Sequence, residues 1–355
     1  MQLCDLFLGS NLRLLFMGFL TLYMYGTLWA YATVFANAMA SNLPYFGEHS
    51  YMVYLLGFGC IVAPMSCLEL KEQISFQVLL SIGRVLMVFF LVSTVLISHY
   101  WGSEADFGGS KRGSKEIPAF DLGGIHHLLP IATFANIFHH SIPALSQPVI
   151  DKTKLASIFS ITLLCCFAAY SCIGLTVSLY FGENTKSSSN LNWADYGINT
   201  SNGEVTIKRM ISLYVVLFPA LDVSSAYPLN AITLGNNLLS TVYGNDSHTV
   251  EHSRAHRLFF RLSAALPPLL AASCVSDLGF ITDYTGISGF GIAFIFPALL
   301  SYYSFQRLKQ KGLPTETAYS NILTTPSFGL ALIFFGIFLL FYVPYSLNAY
   351  PSEPS

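Results

Sequence analysis

Charge is what this sequence has least of. Only 10% of its 355 residues are Asp, Glu, Lys or Arg, against 53% hydrophobic, where a soluble domain carries about a quarter charged residues. A water-soluble core this apolar would have too little polar surface to cover it, so lipid is the solvent for most of the chain. Net charge is -2 and no basic tract is interleaved with aromatics, which argues against a nucleic-acid partner. A GxxxxGK[ST] phosphate loop is missing, and with it any sign of an ATP-driven pump. No nucleophilic triad or metal box stands at workable spacing, so the chain reads as no enzyme and calls for no cofactor. The seven cysteines are Cys4, Cys60, Cys67, Cys165, Cys166, Cys172 and Cys274. None forms a CxxC pair or falls in a long hydrophilic loop, which argues against a disulfide framework and a zinc site. Residues Met1 to Ser10 lack a basic start and a small-residue cleavage site, so the first apolar run is expected to stay in the mature protein.

What is present is a series of apolar runs. A bilayer-crossing helix needs roughly 20 mostly apolar residues, and the pattern predicts nine spans in one all-α integral membrane domain covering 1–355. They lie near 12–39, 50–70, 74–100, 124–147, 154–182, 209–235, 258–276, 284–305 and 325–347. Three connections are long: 101–123, 183–208 and 236–257. The second, with Ser187, Ser188, Ser189 and several Asn, reads as a flexible surface segment.

Lys and Arg set the orientation. With the N-terminus cytoplasmic, the inner side collects Arg13, Lys71, Lys152, Lys154, Arg254, Arg257, Arg261, Arg307, Lys309 and Lys311. Lys111, Arg112, Lys115, Lys186, Lys208 and Arg209 fall outside, all in two long loops where the rule is weak. The C-terminus is then extracellular or luminal; plasma and endolysosomal membranes stay open alternatives. The same orientation places the sequon Asn199-Thr200-Ser201 outside, where Asn199 is the expected glycosylation site, and the sequon at Asn245 inside.

Four places could carry chemistry. The 124–147 span holds Pro130 and Pro143, with Pro148 just beyond, and Phe138, His139, His140 and Ser141 stand immediately before Pro143. Proline removes a backbone donor and clashes one turn back. Such breaks persist in membranes only where protein or a water-filled cavity satisfies the backbone. The stretch is either a substrate-binding break or a proline-kinked packing helix. Asp222, followed by Ser224 and Ser225 between Pro219 and Pro228, is either a proton or coupling-ion site with hydroxyl ligands or an acid bonded to a freed backbone group. Arg84, about 15 Å deep by helix rise, is too deep to snorkel and is expected to face the bundle, paired with an acid or carbonyls as a structural tie. Tyr25, Gly26 and Thr27 either line the path or let backbones approach closely. The doublets His126-His127 and His139-His140 lie about 20 Å apart along a helix, too far to share a metal.

Several stretches resemble one transporter family. Tyr25-Gly26-Thr27-Leu28-Trp29-Ala30-Tyr31 is similar to a segment in the third helix of the amino acid/auxin permease family. Phe138-His139-His140-Ser141-Ile142-Pro143 resembles its sixth-helix break, Phe218-Pro219 through Tyr227-Pro228 its eighth helix, and Thr285-Gly286-Ile287-Ser288-Gly289 with Phe296-Pro297-Ala298-Leu299-Leu300 its tenth. The transmembrane protein 104 subgroup is the nearest match, with Arg84 in a like place. The resemblance implies a LeuT-type bundle truncated at its N-terminus, since this chain starts at the counterpart of the third helix. It implies a secondary active transporter of amino acids or similar small solutes, coupled to protons or sodium. Substrate would then meet Phe138, His139, His140, Ser141, Tyr25 and Thr27, with Asp222, Ser224 and Ser225 at the coupling ion. The alternative is a non-transporting membrane protein of the same fold, a sensor or assembly partner, or a truncated isoform without transport.

Overall fold

The computed structural model describes residues 2–67, 74–101, 107, 113, 122–147, 149–186, 188–198, 204–243, 253–315, 320 and 322–349, and every regular element among them is helical. The helices are α1 (Gln2–Asn42), α2 (Ser50–Cys67), α3 (Ile74–Tyr100), α4 (Ile125–Asn136), α5 (Ile142–Ser146), α6 (Leu155–Phe181), α7 (Glu204–Tyr243), α8 (Arg254–Cys274), α9 (Leu278–Phe290), α10 (Phe296–Gln310) and α11 (Pro326–Ala349). A bilayer offers the backbone no hydrogen bonds, so a chain this apolar satisfies its own in helices.

Seven stretches among the described residues are long and apolar enough to cross a membrane: α1, α2, α3, α6, α7, the continuous α9–α10 run and α11. The sequence pattern predicts nine, and the two others differ for physical reasons. The 124–147 span breaks into α4 and α5, each too short. The 258–276 span belongs to α8, whose first turns carry Arg254, Arg257 and Arg261. The 284–305 span begins earlier than its hydropathy suggests. Asp277 accepts the Gly279 amide at 2.8 Å and starts α9 at Leu278. Between α9 and α10 a π-helical turn, Gly291–Ile295, precedes Pro297 in the first turn of α10.

Helix α1 runs through the middle, packed on α2, α7, α8 and α9. Its Met24, Leu28, Ala32 and Ala36 meet Phe58 and Val62 of α2, Tyr227 and Leu234 of α7, and Ala264 and Ala265 of α8. Small residues at these crossings let the backbones come close, which is how helices associate when lipid is the solvent. The successive prolines Pro267 and Pro268 deprive the carbonyls four residues earlier, at Ser263 and Ala264, of their usual donors. Tyr25 of α1 donates to the Ser263 carbonyl at 2.7 Å, and Tyr227 of α7 to that of Ala265 at 2.6 Å. At the other end of α8, Tyr51 donates to the Ala272 carbonyl (2.8 Å) and Trp29 to that of Val275 (3.0 Å). Phenol and indole donors thus tie α8 to three neighbours.

A second core joins α3, α6 and α7 under a folded-back segment. Phe107, Trp193 and Tyr196 pack with Tyr180 and Phe181 at the end of α6. Trp193 is fully buried and donates its indole N–H to the Thr94 hydroxyl at 2.8 Å, while Ser212 donates to the Trp193 carbonyl at 2.7 Å. Over residues 183–186 and 188–198 this corrects the expectation of a flexible surface segment across 183–208. The serines and asparagines make its turns, as where Asn192 donates to the Asn184 carbonyl (2.9 Å), while the aromatic residues between them turn down into the bundle.

Candidate functional site

The site grows from the interruption of one helix. A continuous helix through residue 143 would need an N–H from Pro143 to bond the His139 carbonyl, and proline has none. Helix α4 therefore stops at Asn136. Ile137 turns extended (φ -76°, ψ 112°), and a 3₁₀ turn over His139–Ser141 leads into α5. The Ser141 amide bonds the Phe138 carbonyl at 2.9 Å. Of the carbonyls exposed at the end of α4, that of Phe134 accepts from the Tyr23 hydroxyl of α1 at 3.2 Å.

Beside the break lies a half-open pocket of about 450 Å³. Asn136, Ile137 and Phe138 line one wall, and Phe159, Thr162 and Tyr170 of α6 face them. The Phe138 ring sits between those of His139 and Phe159, with centroids 5.5 and 5.7 Å away. His139 is partly buried, and its Nδ1 has no hydrogen-bond partner among the described residues. The side chains of His140 and Pro143 lie outside the described ones, as do Pro148 and both sequons, Asn199 and Asn245.

Two charged residues that stand 138 positions apart in sequence meet beside this pocket. The Arg84 guanidinium of α3 grips the Asp222 carboxylate of α7, Nη2 to Oδ1 at 2.7 Å and Nε to Oδ2 at 3.0 Å. Both carboxylate oxygens accept from one planar donor fork, a geometry that suits arginine better than lysine. The phenols of Tyr31 and Tyr170 lie within electrostatic range of the pair, so Tyr170 borders both pocket and charges. Ser224 donates to the Ala220 carbonyl at 2.6 Å and Ser225 to the Asp222 carbonyl at 2.9 Å, so both hydroxyl protons are spent within α7.

Tyr25 and Thr27 stand apart from the break. Tyr25 lines a separate cleft of about 780 Å³ between α1, α8 and α9, and the buried Thr27 hydroxyl bonds back to the Tyr23 carbonyl at 2.9 Å. Gly26, between them, is the contact point. A Cβ there would come within 2.1 Å of the Thr285 hydroxyl on α9.

A second ion pair was not legible in the sequence. His127 of α4 approaches Asp283 of α9, Nδ1 to Oδ2 at 2.6 Å, and only 7% of the Asp283 side chain is accessible. Its other oxygen, Oδ1, is buried with no partner among the described residues. A span drawn from 284 leaves Asp283 in a connecting turn. The signal that moves it inside is the Asp277-x-Gly279 cap.

Residues 1–345 match the family model described as Transmembrane amino acid transporter protein. The chain belongs to this family. Among its relatives, a Transmembrane protein 104 homolog of Dictyostelium discoideum is 25% identical over 341 residues, covering 90% of this chain and 66% of its own. Transmembrane protein 104 of Gallus gallus is 24% identical, covering 85% and 63%. Amino acid transporter AVT6D of Arabidopsis thaliana is 24% identical over 282 residues, covering 75% and 61%. This chain therefore spans between 48% and 66% of the length of the Transmembrane protein 104 relatives it matches most fully. No solved structure matches it. The family is one of transporters and not of enzymes, and membership in it, with seven apolar helices among the described residues, makes this chain a multi-pass membrane protein.

Proposed function

We propose that the protein is a secondary active transporter of amino acids or similar small solutes, with its substrate site in the pocket at the α4–α5 break. The observation that carries this reading is a helix ended by an extended residue at a half-open cavity between the break and α6. The last carbonyls of a helix lack intrahelical partners and carry the negative end of its dipole. Carbonyls at the end of α4 would hold the ammonium of an amino acid, with Tyr170 offering its hydroxyl to the carboxylate across the pocket. Phe138 would cover the side chain, and His139, His140 and Ser141 would follow the substrate as the break moves. Broken helices that present their ends to charged solutes are a recurring device of secondary transporters. In this reading Arg84 occupies the acid of the ion site expected at Asp222, Ser224 and Ser225, and the coupling ion, proton or sodium, acts on that closed arrangement or elsewhere. The N-terminus lies in the cytoplasm and Asn199 carries the glycan.

Uptake into proteoliposomes of labelled amino acids, run at two pH values and with sodium replaced, tests the reading. Concentrative uptake that falls in Phe138→Ala and Tyr170→Phe at unchanged yield is the expected result. Saturable binding without uptake would identify a non-transporting sensor instead. Loss of the glycosidase-sensitive shift in Asn199→Gln tests the orientation, and its loss in Asn245→Gln would invert it.

A further inference from the structure

We propose that the His127–Asp283 pair is the binding site for one proton, and that the loaded pair latches α4, together with the break, onto α9. Its part in transport rests on the reading above; its proton chemistry rests on its own surroundings.

Proton counting comes first. With two protons, one between Nδ1 and Oδ2 and one on Nε2, the pair is net neutral whichever partner formally holds the charge. Loss of one leaves a net negative charge on a buried carboxylate. An ionised carboxylate offers about four acceptor sites, and here one of its two oxygens has no donor among the described residues. An unpaired charge in such surroundings is costly. Among the described residues nothing close by supplies a fixed cation. The other titratable groups among them that act on Asp283 are His126 of α4 and Asp277 of α9 itself. Of the helices packed against α9, α11 carries no charged residue or histidine, and the charges of α1, Asp5 and Arg13, pair with each other near its start. A hard metal cation takes several oxygen ligands. The pair offers one free oxygen and an imidazole, and the described residues hold no cluster of three metal-ligating side chains. The ligand that fits is therefore a proton.

The latch follows from how α4 and α9 touch. A Cβ at Gly286 would stand 2.2 Å from the Pro130 carbonyl oxygen, and one at Gly289 would stand 2.5 Å from the Ile137 side chain. His127, Pro130 and Ile137 thus run along α4 opposite Asp283, Gly286 and Gly289 along α9, the two helices parallel with backbones in contact. Ile137 is the residue at which α4 breaks. The seam covers the acid rather than the imidazole, since 7% of the Asp283 side chain is accessible against 29% of His127, so water reaches the carboxylate when the seam parts, and parting it releases the break. In the open state the hydrated pair gives its Nε2 proton to water, and closure takes one up.

Hydrogen–deuterium exchange of the purified full chain in lipid nanodiscs reads the latch without transport. After correction for intrinsic rates, wild-type amides of residues 125–136 should exchange about tenfold faster per pH unit once the pair begins to release its proton. Asp283→Asn, a neutral mimic of the loaded carboxyl, should hold them slow across the range, and the double variant His127→Gln/Asp283→Leu, which removes both titrating groups, should flatten the same profile. A wild-type pH slope retained in Asp283→Asn overturns the proposal; should that variant fail to fold, retention of the slope in the double variant does so. Uptake by Asp283→Asn with its pH dependence intact also overturns it while leaving the transporter reading standing. An absence of uptake in the wild type counts against that reading alone, because the exchange profile is measured without substrate.

Discussion

Two of the acid–base pairs among the described residues are built in opposite ways. Arg84–Asp222 joins α3 to α7 by a planar fork in which every charge is answered, with 44% of the Arg84 side chain accessible. His127–Asp283 joins α4 to α9 by one short contact, with the acid buried and one of its oxygens unanswered among the described residues. The first pair is held by an arginine, a residue that keeps its proton in proteins. The second is held by a histidine, the residue type that proteins use for proton exchange. The lesson is that satisfied geometry suits a tie and unsatisfied geometry suits a switch. Asp222, which depth and neighbouring serines mark as an ion site, is the acid with least capacity to spare.

The comparison breaks most visibly at Arg84. Arg84→Leu strands Asp222 and should cost about 3 kcal/mol, the lower end of the range for severing a buried pair because Arg84 is partly accessible. Detergent thermostability and membrane yield should both fall, and normal values of both would show that Arg84 reaches headgroups or water instead. Next comes Gly286→Ala, whose Cβ meets the Pro130 carbonyl at 2.2 Å. Forcing α4 from α9 should cost about 2 kcal/mol, with faster amide exchange in α4 and no change in α3. Equal loosening of both would mean that the two pairs share one cooperative unit. The same chemical change at the two acids sharpens the contrast further. Asp222→Asn should cost about 2 kcal/mol by leaving a guanidinium unpaired, whereas Asp283→Asn should stay within about 0.5 kcal/mol, since a neutral group there removes an unsatisfied oxygen's charge. Matching losses of melting temperature in the two variants would erase the distinction. The smallest effect belongs to Tyr31→Phe, about 0.5 kcal/mol, in keeping with a phenol that stands near the first pair without hydrogen-bonding to it.

What the sequence made legible follows from how local each signal is. Proline spacing marks the α4–α5 interruption because the missing N–H acts within one turn, and the structure breaks the chain at Ile137. The depth of Arg84 calls for an inward-facing partner, but only the packing of α3 on α7 says which. Hydropathy averages over a window, so it extends 124–147 straight through the break and places Asp283 in a turn. Compositional bias likewise makes 183–208 look like solvated loop, although Trp193 within it is fully buried. Contacts that depend on the absence of a side chain, such as Gly286 on Pro130, leave no periodic trace.

The π-helical turn between α9 and α10 has a geometric corollary. Such a turn amounts to one residue inserted into an α-helix, and one residue corresponds to about 100° of azimuth at 3.6 residues per turn. Helices α9 and α10 are therefore out of phase, which lets the former present its glycine stripe to α4 while the latter turns its side chains toward α11. Deleting a single residue from 291–295 would bring them into phase, and α10 would then rotate away from α11 unless α9 gave up its alignment with α4.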